Sequence, residues 1–141
     1  MKTYTGTKLV KAQPMTRAFY NLYRGWPAIT NELDTEGYLV EYLDGGEAND
    51  LRHAGYISWS PKDVFEATYI DIGDVSALQP YQVRVAAEQA DLVVKISRLR
   101  VFIASPVFAA IYAGEQDRLQ TQLAAMLDYS RILGERIEAF Q

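Results

Sequence analysis

Residues 37–46, Gly-Tyr-Leu-Val-Glu-Tyr-Leu-Asp-Gly-Gly, and residues 55–66, Gly-Tyr-Ile-Ser-Trp-Ser-Pro-Lys-Asp-Val-Phe-Glu, decide the reading of this chain. Tyr38 to Leu43 alternates, with Tyr38, Val40 and Tyr42 on one face and Leu39, Glu41 and Leu43 on the other, so it is read as a strand. Asp44-Gly45-Gly46 supplies residues that tolerate positive φ, and predicts a reversal there. Tyr56 to Trp59 returns as a second strand. Ser60-Pro61-Lys62-Asp63 reads as a capping box opening a helix from Pro61 to about Tyr69. Upstream, Lys8 to Ala12 is a short strand ended by Pro14. Thr16 caps a helix from Arg17 to about Arg24, Gly25 stops it, and residues 27–36 form a linker.

Beyond a break at about Asp71 to Leu78 the period changes. Leu78, Val85, Leu92 and Leu99 recur every seven residues, joined by Ile96 and Ile103, as on one long amphipathic helix. Ser105 and Pro106 start a short helix to Tyr112, with Gly114 as its stop. Leu119, Met126, Leu133 and Phe140, with Leu123 and Ile137, mark a third helix. Gln82, Gln89 and Ser130 interrupt these stripes and are read as register-setting polar residues. The expected architecture is α+β: a small antiparallel sheet with short helices over residues 1–72, then an antiparallel helical hairpin over 78–141 that serves as an oligomerisation element. Phe102, Val107, Phe108, Ile111 and Tyr112 form an apolar cluster at its bend.

Composition narrows the chemistry. The chain has 141 residues, no cysteine and one histidine, His53, so disulfide frameworks, thiolate metal sites and Ser-His triads lack their parts. We expect no metal, no cofactor and no catalytic residue. The net charge of −4 gives no footprint for duplex nucleic acid. The longest apolar stretch, Val101 to Ala113, is interrupted by Ser105-Pro106 and is shorter than the ~20 residues of a membrane helix. A soluble intracellular protein is therefore expected. His53 is read as solvent-exposed, and Glu41 and Glu66 as carboxylates without a catalytic partner.

Both tryptophans and seven of the ten tyrosines lie in the first seventy residues. Trp26 follows a helix stop and Trp59 precedes a helix start, positions that tend to line an edge. Arg24, Trp26, Tyr38, Tyr42, Trp59, Ser60 and Asp63 offer stacking surfaces, a cation and helix-terminal amides. That mixture suits a nucleotide, whose base stacks and whose phosphate accepts hydrogen bonds. Core closure by the tryptophans and helix capping by Asp63 are the structural alternatives.

Residues 5–69 resemble a family of small phage accessory proteins named after gene products of phages N4 and Sf6. The resemblance is carried by Gly6-Thr7-Lys8, Pro14-Met15-Thr16-Arg17, Tyr20-Asn21, Tyr23-Arg24-Gly25-Trp26, residues 37–42 and residues 55–61. From Leu78-Gln79-Pro80-Tyr81-Gln82 through Met126 and Tyr129 to Arg136-Ile137, the chain is similar to a helical segment recurring in small phage proteins. The order helix, Arg-Gly-Trp, strand, turn and Trp-Ser-Pro is also similar to that of phage anti-Thoeris sponge proteins. This second resemblance implies a homo-oligomer that captures a cyclic ADP-ribose-type signal without turnover, with Trp26, Trp59 and Asp63 in the pocket and Arg24 and Ser60 supporting them. The expected partner is a signalling nucleotide: a cyclic dinucleotide, a cyclic trinucleotide or a cyclic ADP-ribose type. The alternatives are a module that inhibits or adapts a host protein through its hairpin, and a nucleotide hydrolase.

Overall fold

The computed structural model describes residues 1–27 and 35–140, so most of the expected 27–36 linker lies outside the described residues. The chain divides into two compact units, Met1–Tyr69 and Ile70–Gln141, and the fold is α+β.

The first unit contains β1 (Val10–Pro14), α1 (Arg17–Tyr23), β2 (Gly37–Tyr42), β3 (Tyr56–Pro61) and α2 (Lys62–Thr68). The three strands form an antiparallel sheet in sequence order, with Leu39 opposite Trp59, Glu41 opposite Ile57 and Ala12 opposite Val40. β1 sits two residues later than its sequence reading, because Pro14 belongs to the strand and pairs with Tyr38. On an edge strand its missing N–H is tolerated. Gly45 and Gly46 take φ of 109° and 127°, as the reversal requires.

Thr16 caps α1 through Oγ1, which accepts from the Phe19 N–H at 3.3 Å, and Gly25 follows the helix at φ 71°. The capping box expected at Ser60 and Asp63 is absent. β3 continues through Ser60, the N-cap is Pro61, and no side chain caps α2. Strand pairing of Ser60 with Tyr38 holds its backbone in the ladder and moves the helix start by one residue.

Sheet alternation divides this unit into two packed faces. Leu39 and Ile57 join Met15 and Tyr20 in the core, with Tyr23 and Trp59 against them. On the opposite face Tyr38 stacks on Phe65 of α2 at 4.2 Å between ring centres, and Phe65 meets Tyr69 at 4.9 Å.

The second unit is the helical hairpin: α3 (Pro80–Ile103), α4 (Pro106–Ala110) and α5 (Ala113–Glu138). Val85, Leu92, Ile96 and Leu133 are buried, with Leu123, Met126, Ile137 and Phe140 packed on them. The contacts Gln89–Ser130 at 3.1 Å and Tyr81–Phe140 at 6.1 Å show that the two long helices run antiparallel. Gln82 has a different role from Gln89. Its side-chain oxygen accepts from the Gln79 N–H at 2.8 Å and closes the start of α3. Ser105 caps α4 through the Phe108 N–H at 3.4 Å. α4 ends at Ala110, short of Tyr112, and Gly114 lies inside α5 instead of stopping α4. Gln116 Nε2 donates to the carbonyls of Phe108 and Ile111 at 2.8 and 3.2 Å, which satisfies the end of α4 from the first turn of α5.

Candidate functional site

α1 and β3 bound a groove of about 240 Å³ lined by Arg17, Tyr20, Arg24, Trp26, Asn49, Tyr56, Ile57, Ser58 and Trp59. The helix places Arg17, Tyr20 and Arg24 at spacings of three and four residues, on one stripe. β3 is an edge strand, so its outer side is open to the groove.

Each tryptophan here is covered by an arginine. The Arg17 guanidinium lies 5.1 Å from the Trp59 ring centre, and that of Arg24 lies 5.0 Å from Trp26. Arg24 also donates to the Tyr20 hydroxyl at 3.4 Å and to the Asn49 carbonyl at 3.1 Å. The Asn49 carboxamide in turn bonds both the N–H and the C=O of Ile57, at 2.7 and 2.9 Å, as a neighbouring strand would. Trp26 is 47% exposed and meets Tyr20 edge-on at 5.8 Å. Its backbone N–H donates to the Asn21 carbonyl at 2.8 Å.

Trp59 combines a core role with a groove-lining one. Its indole N–H donates to the Met15 carbonyl at 2.8 Å and its ring joins the core cluster. Of the seven residues singled out from the sequence, the groove gathers Arg24, Trp26 and Trp59. Register places Tyr38, Tyr42 and Ser60 on the other sheet face. There the Tyr38 hydroxyl donates to Glu66 at 2.8 Å, Lys8 lies over the Tyr42 ring at 5.1 Å, and Ser60 Oγ donates to the Pro61 carbonyl at 3.4 Å. Asp63 is exposed in the first turn of α2.

Arg17, Tyr20, Asn49 and Tyr56 are groove residues that sequence reasoning passed over. The Arg17 and Tyr20 positions were legible from helical spacing relative to Arg24. Asn49 was not, since its contact with β3 depends on how the loop folds back.

His53 and Glu41 also differ from their expected isolation. The His53 side chain is 15% exposed, with Tyr23 oxygen 2.8 Å from Nε2 and Glu41 Oε2 3.2 Å from Nδ1. Glu41 Oε1 accepts from the Ala54 and Gly55 N–H groups at 2.9 and 3.0 Å. The Gly55 amide, followed by His53, holds the Glu41 carboxyl below the usual glutamate range. Arg52, paired with Asp50, lies 3.6 Å from the Tyr23 ring centre and donates to the Tyr23 carbonyl at 2.6 Å.

Among the described residues, no group of three or more histidine, cysteine or carboxylate side chains is arranged to hold a metal ion, and no helix is long and apolar enough to cross a membrane. The family model described as Sequestin matches residues 79–139. The chain is also 38% identical over 61 residues to an uncharacterized 7.5 kDa protein in the denB-rIIB intergenic region of Enterobacteria phage T4, covering 43% of this chain and 95% of that protein. No solved structure matches.

Proposed function

Because the chain belongs to the Sequestin family, we propose that it is a phage anti-defence protein that sequesters a small signalling nucleotide without turnover, as a homo-oligomer acting in the host cytoplasm. The observation that supports a nucleotide is the pair of arginine-covered tryptophans in one groove. Two guanidinium groups offer planar donors for phosphate, and base stacking is available on the guanidinium planes or on the indoles beneath them. At about 240 Å³ the groove is smaller than the ~300–1,000 Å³ usual for small-molecule sites. A cyclic dinucleotide, cyclic trinucleotide or cyclic ADP-ribose would therefore enter in part, leaving its remainder to solvent or to a second copy.

The test is a thermal-shift screen against these three ligand classes, with mass spectrometry of the recovered ligand. A ligand at ~100 times its dissociation constant stabilises the folded state by roughly 2.7 kcal/mol. The expected result is a shift of several degrees with the ligand intact; a degraded ligand would identify an enzyme. Site variants should target Arg24→Ala and Trp26→Ala, because Trp59 also supports the core. Unchanged affinity in both would remove the groove from the reading.

A second reading is favoured by the position of the family match, which falls on the hairpin and not on the groove. On that reading the hairpin binds and inhibits a host protein. Hairpin surface variants would then abolish protection of the phage while Trp26→Ala leaves it intact.

A further inference from the structure

The loop from Asn49 to Gly55 is tied down at both ends by side chains distant in sequence. At its far end Glu41 receives the Ala54 and Gly55 amides and the Nδ1 side of His53, while the Nε2 side of His53 faces the Tyr23 hydroxyl. Since the ionised carboxylate only accepts, the His53 tautomer that fits both partners carries its proton on Nδ1 and accepts a hydrogen bond from the Tyr23 hydroxyl at Nε2. At its near end the Asn49 carboxamide clamps Ile57 of β3, and the Asn49 carbonyl accepts from Arg24. Tyr23 and Arg24 are adjacent at the end of α1, so both ends of the loop close on the same turn of helix.

We infer that His53 is a positioning residue: held between Glu41 and Tyr23, it locks the 49–55 loop so that the Asn49 carbonyl keeps the Arg24 guanidinium over Trp26. The inference rests on the groove being the binding site for its functional meaning, yet it concerns a geometry present without ligand. His53 and Glu41 side chains are 15% and 14% exposed, so the link is shielded from competing water. Arg52 closes the same connection from the loop side by lying on the Tyr23 ring.

The experiment is solution NMR on the isotopically labelled full chain without ligand. His53 is the single histidine, so its imidazole nitrogens are assigned directly. At about pH 8, above the ordinary histidine pKa, wild type should show the Nδ1–H tautomer. Glu41→Gln turns an acceptor into an amide that donates toward Nδ1, and should invert the tautomer. Tyr23→Phe keeps the ring but removes the hydroxyl; His53→Ala removes the link altogether. In both, amide exchange of the 49–55 loop should rise roughly tenfold and the Trp26 indole resonances should shift, with hairpin amides unchanged as the internal control. Wild type in the other tautomer, or loop exchange and Trp26 resonances unaffected in both variants, would overturn the inference. None of these readouts needs a nucleotide, so failure of the ligand screen and failure of this inference are separate results.

Discussion

Gly37 shows how one missing side chain shapes the first unit. A Cβ there would lie 2.4 Å from both the Trp59 ring and the Ser60 carbonyl, so only glycine lets the indole cross β2 and reach the Met15 carbonyl. Gly37→Ala should destabilise this unit by about 1–3 kcal/mol, the usual cost of overpacking, measured by urea unfolding followed through tryptophan fluorescence. Glu41 makes the unit acid-sensitive. Its carboxyl is held below the ordinary range, first by the Gly55 amide, so its contribution is fully present above the unfolded-state value of about 4.3 and is lost as pH falls through the folded-state value. Thermal melts from pH 7 to 3 should show this loss in wild type and a flatter profile in Glu41→Gln. The Trp-Arg juxtapositions were partly readable beforehand, because Arg24 and Trp26 are near neighbours in the chain. The Glu41–His53–Tyr23 link was not, because its members come from a strand, a loop and a helix that only folding brings together.

The helical elements were the most legible, since Val85 and Leu92 of one seven-residue stripe and Leu133 of the other are buried, although Leu78 lies ahead of α3. Leu133 is fully buried in the cluster with Val85, Leu92 and Ile96, and Leu133→Ala should cost about 2–5 kcal/mol in chemical denaturation. The polar interruption beside it has its own weight. A double-mutant cycle on Gln89 and Ser130 should give a coupling of about 0.5–1.5 kcal/mol, and coupling near zero would remove their role in register. Helix boundaries were less legible. Ser60-Pro61-Lys62-Asp63 has the residue types of a capping box, yet strand pairing claimed Ser60 first. Gly114 reads as a stop by composition, but the carbonyls at the end of α4 are met by Gln116, and the next helix is already under way at Ala113.

For the whole molecule, the apolar surface left on the hairpin bears on assembly. Val101, Val107 and Tyr112 are 70%, 60% and 75% exposed near its bend. Light scattering at micromolar concentration should report a mass above that of the 15.9 kDa chain, and Val107→Asp with Tyr112→Asp should reduce it. A monomeric wild type would count against a homo-oligomeric sponge.

By itself the sequence determined the class of each element. Alternation over 38–43 made a strand, found at 37–42, the seven-residue stripes made two long helices, and the glycines at 45 and 46 made the reversal. These are local properties, set by side-chain period and backbone freedom within a few residues. Only the tertiary structure decided which aromatic residues share a groove. Strand register sent Tyr38, Tyr42 and Ser60 to one sheet face and Trp59 to the other, and the fold-back of the 49–55 loop brought Asn49 to Arg24. Such contacts depend on pairing across tens of residues, where a one-residue slip exchanges the faces and composition carries no signal of the outcome.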